Sequence, residues 1–449
     1  MPHHADVSIL MGMTDRQIRE AIARDDAHGR AVLAAMLHER EGNAPSPTGG
    51  FRYSKTSQLK GEMLLCRREP AEHIKVMEGD EHEGWGGCLC RIPRTGEILL
   101  TDFRGNLCRS SDGGRTWSDS VRVEIPGPLY QDAPVQKRCI GAIGALRDGT
   151  ILLACMVYTS PRRGPEDEGG YVTRSTDGGR TWEEPFRLDM LGYPHLEPAS
   201  HLRFVELQDG TILLPAAAGR RGPQGRFIYP DGTPFPPSGE PLRAGVQCED
   251  QYVFRSRDGG RTWGDPSLVT GWGCETNLVQ LASGKIIAAV RYQREWAVEG
   301  DDPRVIEASK PQEDPDYCTT IYLDTFICES TDGGYHWSEP RKASRYLEHP
   351  ADIVCMSDGT LVMVKGHKPF PHGPQVVWSR DEGKTWSKSF LALDMDPKGA
   401  AGQPSALALE DDTVLVSYDV YTWDENSTTN PPACRYQLWV VRFKLPMEV

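Results

Sequence analysis

Four carboxylates and a set of basic side chains carry the chemistry this sequence can offer. Glu275, Asp352, Asp102 and Glu197 fall at the ends of inner strands, or just after second strands, of a repeat that runs through the chain. Cleaving a glycosidic bond needs two carboxyl groups facing one sugar. One is protonated as general acid, the other is ionised as base or nucleophile, and their separation sets retention or inversion. The corresponding places in other repeats hold Arg104, Arg138, Arg220, Arg291 with Tyr292, and His367 with Lys368. Five of the six repeats thus direct a basic group towards one rim, which would focus an anionic ligand such as a carboxylated or sulfated sugar. Histidines support a competing scheme. His201, together with His195, His349 and His372, could abstract the proton beside a uronate carboxyl group that Arg or Asn neutralises, which is lyase chemistry. A third reading keeps the same repeats as a non-catalytic module that binds a glycan or a protein.

The elements that must position these groups are legible as two interleaved repeats. Five octapeptides read Ser-x-Asp-x-Gly-x-x-Trp: SSDGGRTW (110 to 117), STDGGRTW (175 to 182), SRDGGRTW (256 to 263), STDGGYHW (330 to 337) and SRDEGKTW (379 to 386). In a tight hairpin the Ser and Asp side chains can bond the turn backbone, Gly accepts positive φ, and Trp folds back as an apolar plug. These motifs are scaffolding. Ahead of each stands a turn followed by an apolar strand: TGEILL, DGTILL, a second DGTILL, SGKIIA and DGTLVM. A sixth copy, DDTVLV (411 to 416), continues into a strand at Tyr436 to Lys444. Each unit reads as strand, turn, strand, loop, strand, octapeptide turn, strand. That is a four-stranded antiparallel blade whose faces neighbouring blades must cover. The expected fold is all-β, a six-bladed β-propeller over 51–449, with Phe51 to Arg68 supplying the outer strand that the sixth blade lacks.

Composition narrows the function classes. The 449 residues carry a formal charge of -14, which argues against nucleic acid as the main partner, because such binding relies on clustered Lys and Arg. No window approaches the roughly 18 to 20 uncharged apolar residues of a spanning helix, so no membrane partner is expected. Residues 1 to 13 lack a secretory pattern, and the 12 cysteines are scattered without a zinc-finger CxxC pair. Reduced core thiols in a cytoplasmic protein follow, with no cofactor and no metal site. The 46 Gly and 34 Pro favour short strands and turns over long helices.

The octapeptides at hairpin turns of six units resemble the sialidase superfamily, whose Asp-boxes (BNR repeats) have this pattern, over roughly residues 51 to 445. The resemblance implies the six-bladed fold. It covers glycosidases, polysaccharide lyases and non-catalytic receptors alike. In sialidases a Glu stands at an inner strand of a middle blade in a Glu-x-x-x-Val-x-Leu context, with a carboxylate-binding Arg sixteen residues on. Here CETNLVQLASGKIIAAVR places Glu275 eight residues before Ser283 and Arg291 sixteen after Glu275. Other parts of the family's set depart. Arg91 in CRIP stands five residues before Gly96, where the family's first Arg stands about eight before its turn. HKPFPHGPQVVWS offers His367, Lys368 and His372 but no Arg, and GQPSAL (402 to 407) puts Pro404 where the family has its Tyr nucleophile. The resemblance therefore implies a glycoside hydrolase for an anionic sugar that does not work as a Tyr-nucleophile sialidase.

Residues 1–50 stand outside the repeat. Ile18, Ile22, Val32, Leu33, Met36 and Leu37 predict a short amphipathic helical extension over 14 to 41, followed by the linker NAPSPTGG (43 to 50). Two long insertions, Gly219 to Asp250 and Tyr292 to Asp324, flank Glu275. Such insertions are usually lids or contacts. They and the N-terminal helix are the segments available for a homo-oligomer.

Overall fold

The structure is a computed structural model. It describes residues 3–6, 62–65, 72–79, 86–126, 138–157, 169–193, 195–198, 203–219, 221–222, 226–227, 250–273, 275–294, 304, 322–344, 348–367, 373–387, 390–393, 403–423 and 434–445. The chain divides into two compact units. One comprises Gly87–Lys310 and Thr320–Tyr346 and holds blades one to four; the other comprises Met1–Gly86, Pro311–Thr319 and Leu347–Val449 and holds blades five and six.

Each repeat builds one antiparallel blade. Blade one runs through Gly87–Arg91, Ile98–Asp102, Asn106–Ser110 and Val121–Arg122. Blade two takes Arg138–Ala145, Ile151–Val157, Gly169–Ser175 and Phe186–Arg187. In blade three the inner strand is split into His195–Glu197 and Val205–Glu206, followed by Ile212–Gly219, Asp250–Ser256 and Gly264–Thr270. Blade four consists of Thr276–Gln280, Ile286–Arg294, Tyr322–Ser330 and Arg341–Lys342. Blade five consists of Glu348–Cys355, Leu361–His367, Gly373–Ser379 and Phe390–Ala392. Blade six is built from Ser405–Ala408, Thr413–Trp423 and Cys434–Lys444, with Glu72–Gly79 as its outer strand.

The origin of that outer strand corrects the expectation from sequence. Phe51 to Arg68 contributes Glu62–Leu65 instead to the edge of blade five, parallel to Phe390–Ala392, with His3–Asp6 paired beyond it. The apolar run Met63 to Leu65 drew the assignment. An outer blade strand is only half covered, so His73 to Gly79 mixes half-buried positions with exposed Lys75 and Glu78 and shows no apolar run. The expected helix over 14 to 41 lies outside the described residues.

Burial explains why inner and second strands read as continuous apolar runs. All seven residues of Ile151–Val157 are buried, because both faces of a blade pack on other blades. In the larger unit, Leu213 and Val253 of blade three pack with Leu278, Val290 and Phe326 of blade four. In the smaller unit, Val362, Val364 and Val376 of blade five pack with Ala406, Val414 and Val416 of blade six. Each large aliphatic side chain buried this way contributes about 1.5–3 kcal/mol. Six described cysteines are free and five of them are buried; burial above all, then neighbouring Cys88, pushes the Cys90 thiol up to about 12.

The octapeptides close the hairpins between third and fourth strands. In the third copy, Ser256 Oγ donates to Asp258 Oδ1 at 2.8 Å and accepts from Gly260 N at 2.9 Å. Asp258 also accepts from the amides of Arg261 and Thr262 and, at 2.6 Å, from the Thr262 hydroxyl, while Trp263 Nε1 donates to the Gly260 carbonyl. The first glycine sits at positive φ in four copies, and in the fifth Glu382 adopts φ 58° in its place. Within each blade these turns lie at the same end as the turn from first to second strand. The opposite end, where inner strands begin and second strands finish, is left for chemistry.

Candidate functional site

Glu275 stands immediately before the inner strand of blade four, and Arg291 lies on the neighbouring second strand. The register places Thr276 opposite Val290, so the Arg291 amide donates to the Glu275 carbonyl at 2.8 Å. The side chains repeat the pairing: Arg291 Nη1 donates to Glu275 Oε1 at 2.7 Å. Both are largely buried, at 11% exposed for Glu275 and 14% for Arg291. The second oxygen, Oε2, is buried and accepts no hydrogen bond among the described residues. One carboxylate oxygen is thus fixed by a guanidinium while the other is unsatisfied, an arrangement that costs free energy in the resting protein.

Supporting residues come from blade three. The Thr276 hydroxyl donates to Gln251 Oε1 at 3.0 Å, and Gln251 is fully buried with its Nε2 lacking a partner among the described residues. Gly273 allows this approach, since a Cβ there would come within 2.5 Å of Gln251 Cγ and 2.7 Å of Val290 Cγ1. Gln251 carries little signal in the sequence, as a polar residue on a third strand whose neighbours Val253 and Phe254 are apolar.

Other residues singled out in the sequence have different placements. Tyr292 is fully buried, edge to face with Trp272 at 5.8 Å and with Phe326 at 6.1 Å, which places it in the core of blade four rather than on a rim. Asp102 ends the second strand of blade one, 3% exposed, and holds the turn that follows. Its Oδ1 accepts from Asn106 N at 2.8 Å and its Oδ2 from Asn106 Nδ2 at 2.7 Å. Burial raises its pKa, against the hydrogen bonds from Asn106 and the charges of Arg104 and Arg122. Arg104 lies in that same turn. Glu197 ends the first segment of blade three's inner strand, half-buried, and Arg138 begins the inner strand of blade two. Arg220 and His201 lie outside the described residues.

In the smaller unit, Asp352 is fully buried on the inner strand of blade five. Its Oδ1 accepts from Ile353 N at 2.8 Å and its Oδ2 from Ala406 N at 2.7 Å, so it ties the inner strands of blades five and six together. Both oxygens are occupied by backbone donors, a structural role. His367 ends the second strand of blade five, 2% exposed, with Nδ1 3.0 Å from Glu348 Oε1. Lys365 donates to the other oxygen of Glu348. Glu348 was missed in the sequence, although its spacing of seventeen residues to Lys365 nearly repeats the sixteen from Glu275 to Arg291. Among the described residues, no group of three or more His, Cys, Asp or Glu is placed to hold a metal ion.

No family model matches the chain. Among curated proteins, the xyloglucanase Xgh74A of Acetivibrio thermocellus is 28% identical over 207 residues, which cover 40% of this chain and a quarter (25%) of the length of that relative. Among solved structures, a protein of unknown function from Dyadobacter fermentans superposes with a TM-score of 0.56 at 19% identity, covering 83% of this chain and 98% of its own. A Hadza microbial sialidase superposes with a TM-score of 0.51 at 17% identity, covering 79% of this chain and 65% of its own. At these identities the likeness speaks for the fold alone, and with six four-stranded blades in the chain it points one way. The chain carries an all-β fold of six blades, a fold it shares with the sialidases on which it superposes.

Proposed function

We propose that the protein is a glycoside hydrolase acting on a glycan that contains a carboxylated sugar, with Glu275 handling the proton and Arg291 the substrate carboxylate. The observation that carries this reading is the Glu275–Arg291 pair, joined at a blade end at 2.7 Å with one carboxylate oxygen unsatisfied among the described residues. A substrate carboxylate can take the Arg291 guanidinium in a bidentate contact, for which Arg has the matching fork geometry. With the guanidinium engaged by the substrate, the Glu275 carboxyl is released to act as the general acid. The protonated carboxyl then gives its proton to the leaving glycosidic oxygen as the bond to the anomeric carbon breaks. Water adds to that carbon, and its proton goes to a second carboxylate. Glu197, half-buried at the end of the first segment of blade three's inner strand, is the candidate for that second group. Pro404 in place of the family's Tyr makes this a mechanism without a tyrosyl intermediate.

The fold likeness to a sialidase and the match to a xyloglucanase support a carbohydrate substrate. The test is product analysis of the purified protein against sialosides, uronides and neutral glycosides. The reading expects a saturated, reducing sugar released from a carboxylated glycoside. An unsaturated product absorbing in the ultraviolet would replace hydrolysis by elimination, and no turnover of any carboxylated glycoside would leave a binding module.

A further inference from the structure

Blade three carries a second cluster at the same end of its strands, built from residues that the proposed reaction does not use. Tyr193 stands two residues before the inner segment His195–Glu197, and Asp250 and Tyr252 open the third strand. Two residues apart on a strand, Asp250 and Tyr252 share a face. The Tyr193 hydroxyl donates to Asp250 Oδ2 and lies 3.4 Å from the Tyr252 hydroxyl. The two rings meet edge to face with centroids 6.0 Å apart. All three residues are half-buried.

The cluster is only half satisfied. Asp250 Oδ1 makes no hydrogen bond, and no Lys or Arg pairs with Asp250, among the described residues. The space beside that oxygen is bordered by exposed Gly271, where an added Cβ would stand 3.5 Å from Oδ1 and meet no other atom within 4 Å. Half-buried Asp250 thus presents Oδ1 at the edge of open space, where a ligand hydroxyl can reach it. Burial, then the hydrogen bond to Asp250, push the Tyr193 phenol well above its ordinary value, so its hydroxyl keeps its proton across the working pH range.

We propose that Tyr193, Asp250 and Tyr252 form a binding subsite for the vicinal hydroxyls of a neutral sugar ring. A carboxylate oxygen accepts hydroxyl hydrogen bonds that are charge-assisted and stronger than neutral ones. The tyrosine hydroxyls both donate and accept, and their rings offer apolar surface to the C–H face of a pyranose. The negative charge of Asp250 disfavours a carboxylated ring at this position. The substrate class of the protein becomes a mixed glycan, with the carboxylated ring at Arg291 and a neutral unit at blade three. The subsite itself stands whether or not Glu275 is catalytic.

Calorimetric titration of the full chain tests this. Using both the parent and Glu275→Gln protein, with product analysis of each mixture to exclude turnover, lactose, cellotetraose and maltotetraose are titrated separately, with glucuronic acid as the anionic control. At least one neutral saccharide is expected to bind, and its Kd to rise at least about tenfold in Asp250→Asn and in Gly271→Leu. Gly271→Leu puts a side chain into open space, so its melting temperature should match the parent and its loss of binding cannot come from unfolding. Glucuronic acid should give no heat that depends on Asp250. The proposal is overturned if none of the three neutral saccharides binds, or if binding is unaltered in Gly271→Leu.

Discussion

Glu275 and Glu348 both stand at the entry to an inner strand, in blades four and five, each with a cationic partner on the second strand, yet their surroundings differ. Glu348 is fully buried, and both its oxygens are engaged, one by Lys365 and one by His367. Glu275 retains some exposure, has a single guanidinium partner and keeps one oxygen without a donor. A buried ion pair with every position filled braces a strand and has nothing left for a ligand. A pair left half filled is where a ligand can improve on the resting protein. The same fold thus yields a brace in one blade and a candidate site in another through the number of donors each carboxylate meets.

Deleting the cation should separate the two regions most sharply. Lys365→Met strands a carboxylate in the interior, and we expect it to cost about 3–5 kcal/mol in urea unfolding. A loss under about 1 kcal/mol would remove the distinction between the blades. Arg291→Lys keeps a charge beside Glu275 but loses the planar fork, so stability should change little while KM for the carboxylated substrate rises about tenfold, near 1.4 kcal/mol. An unchanged KM would take Arg291 out of substrate recognition.

Smaller effects belong to the turn end, which serves as a control. Asp258→Asn removes a carboxylate that receives two amides and two hydroxyls, and should cost about 1 kcal/mol without touching activity. Hydrogen bonds from Thr385 and then Ser379 hold Asp381 at about 2, and those from Thr262, Ser256 and Arg261 outweigh partial burial to hold Asp258 there too. Folded pKa values below the ordinary value mean that the unfolded chain binds more protons. This stabilisation is therefore complete above about pH 4 and is lost as pH falls towards about 2. Buried Asp102 works with opposite sign, its contribution fading as pH rises through its raised value. The acid decline in urea midpoint should be shallower in an Asp258→Asn, Asp381→Asn double variant. Smallest of all, Glu382→Gly relieves a positive φ and should add about 0.5–1 kcal/mol, read as a higher melting temperature.

The blades were legible because their signals are local. The turn before each second strand marks the first hairpin of all six blades and the octapeptides mark the last hairpin of five, and the strands between them are apolar because both faces are covered. The outer strand of blade six was misplaced for the converse reason, since a half-covered strand such as His73 to Gly79 carries charges and no clear period. At the site, Glu275 and Arg291 could be found through the sialidase resemblance, because the sixteen-residue spacing it implies falls within one hairpin. Glu348 was missed although its partners are equally local, and the tie from Asp352 to Ala406 joins separate hairpins and leaves no mark at either residue. Tyr193 and Asp250 stand 57 residues apart on either side of a long insertion, and no periodicity joins them.

The most direct measurement is the hydrolysis rate of a carboxylated glycoside by Glu275→Gln beside that of the parent, with urea midpoints of both. We expect kcat to fall by about 10²–10⁴ with an unchanged midpoint, as removal of a proton-transferring group from a folded site requires. A variant that turns over substrate at the parent rate would contradict the assignment of Glu275, and with it the contrast between blades four and five.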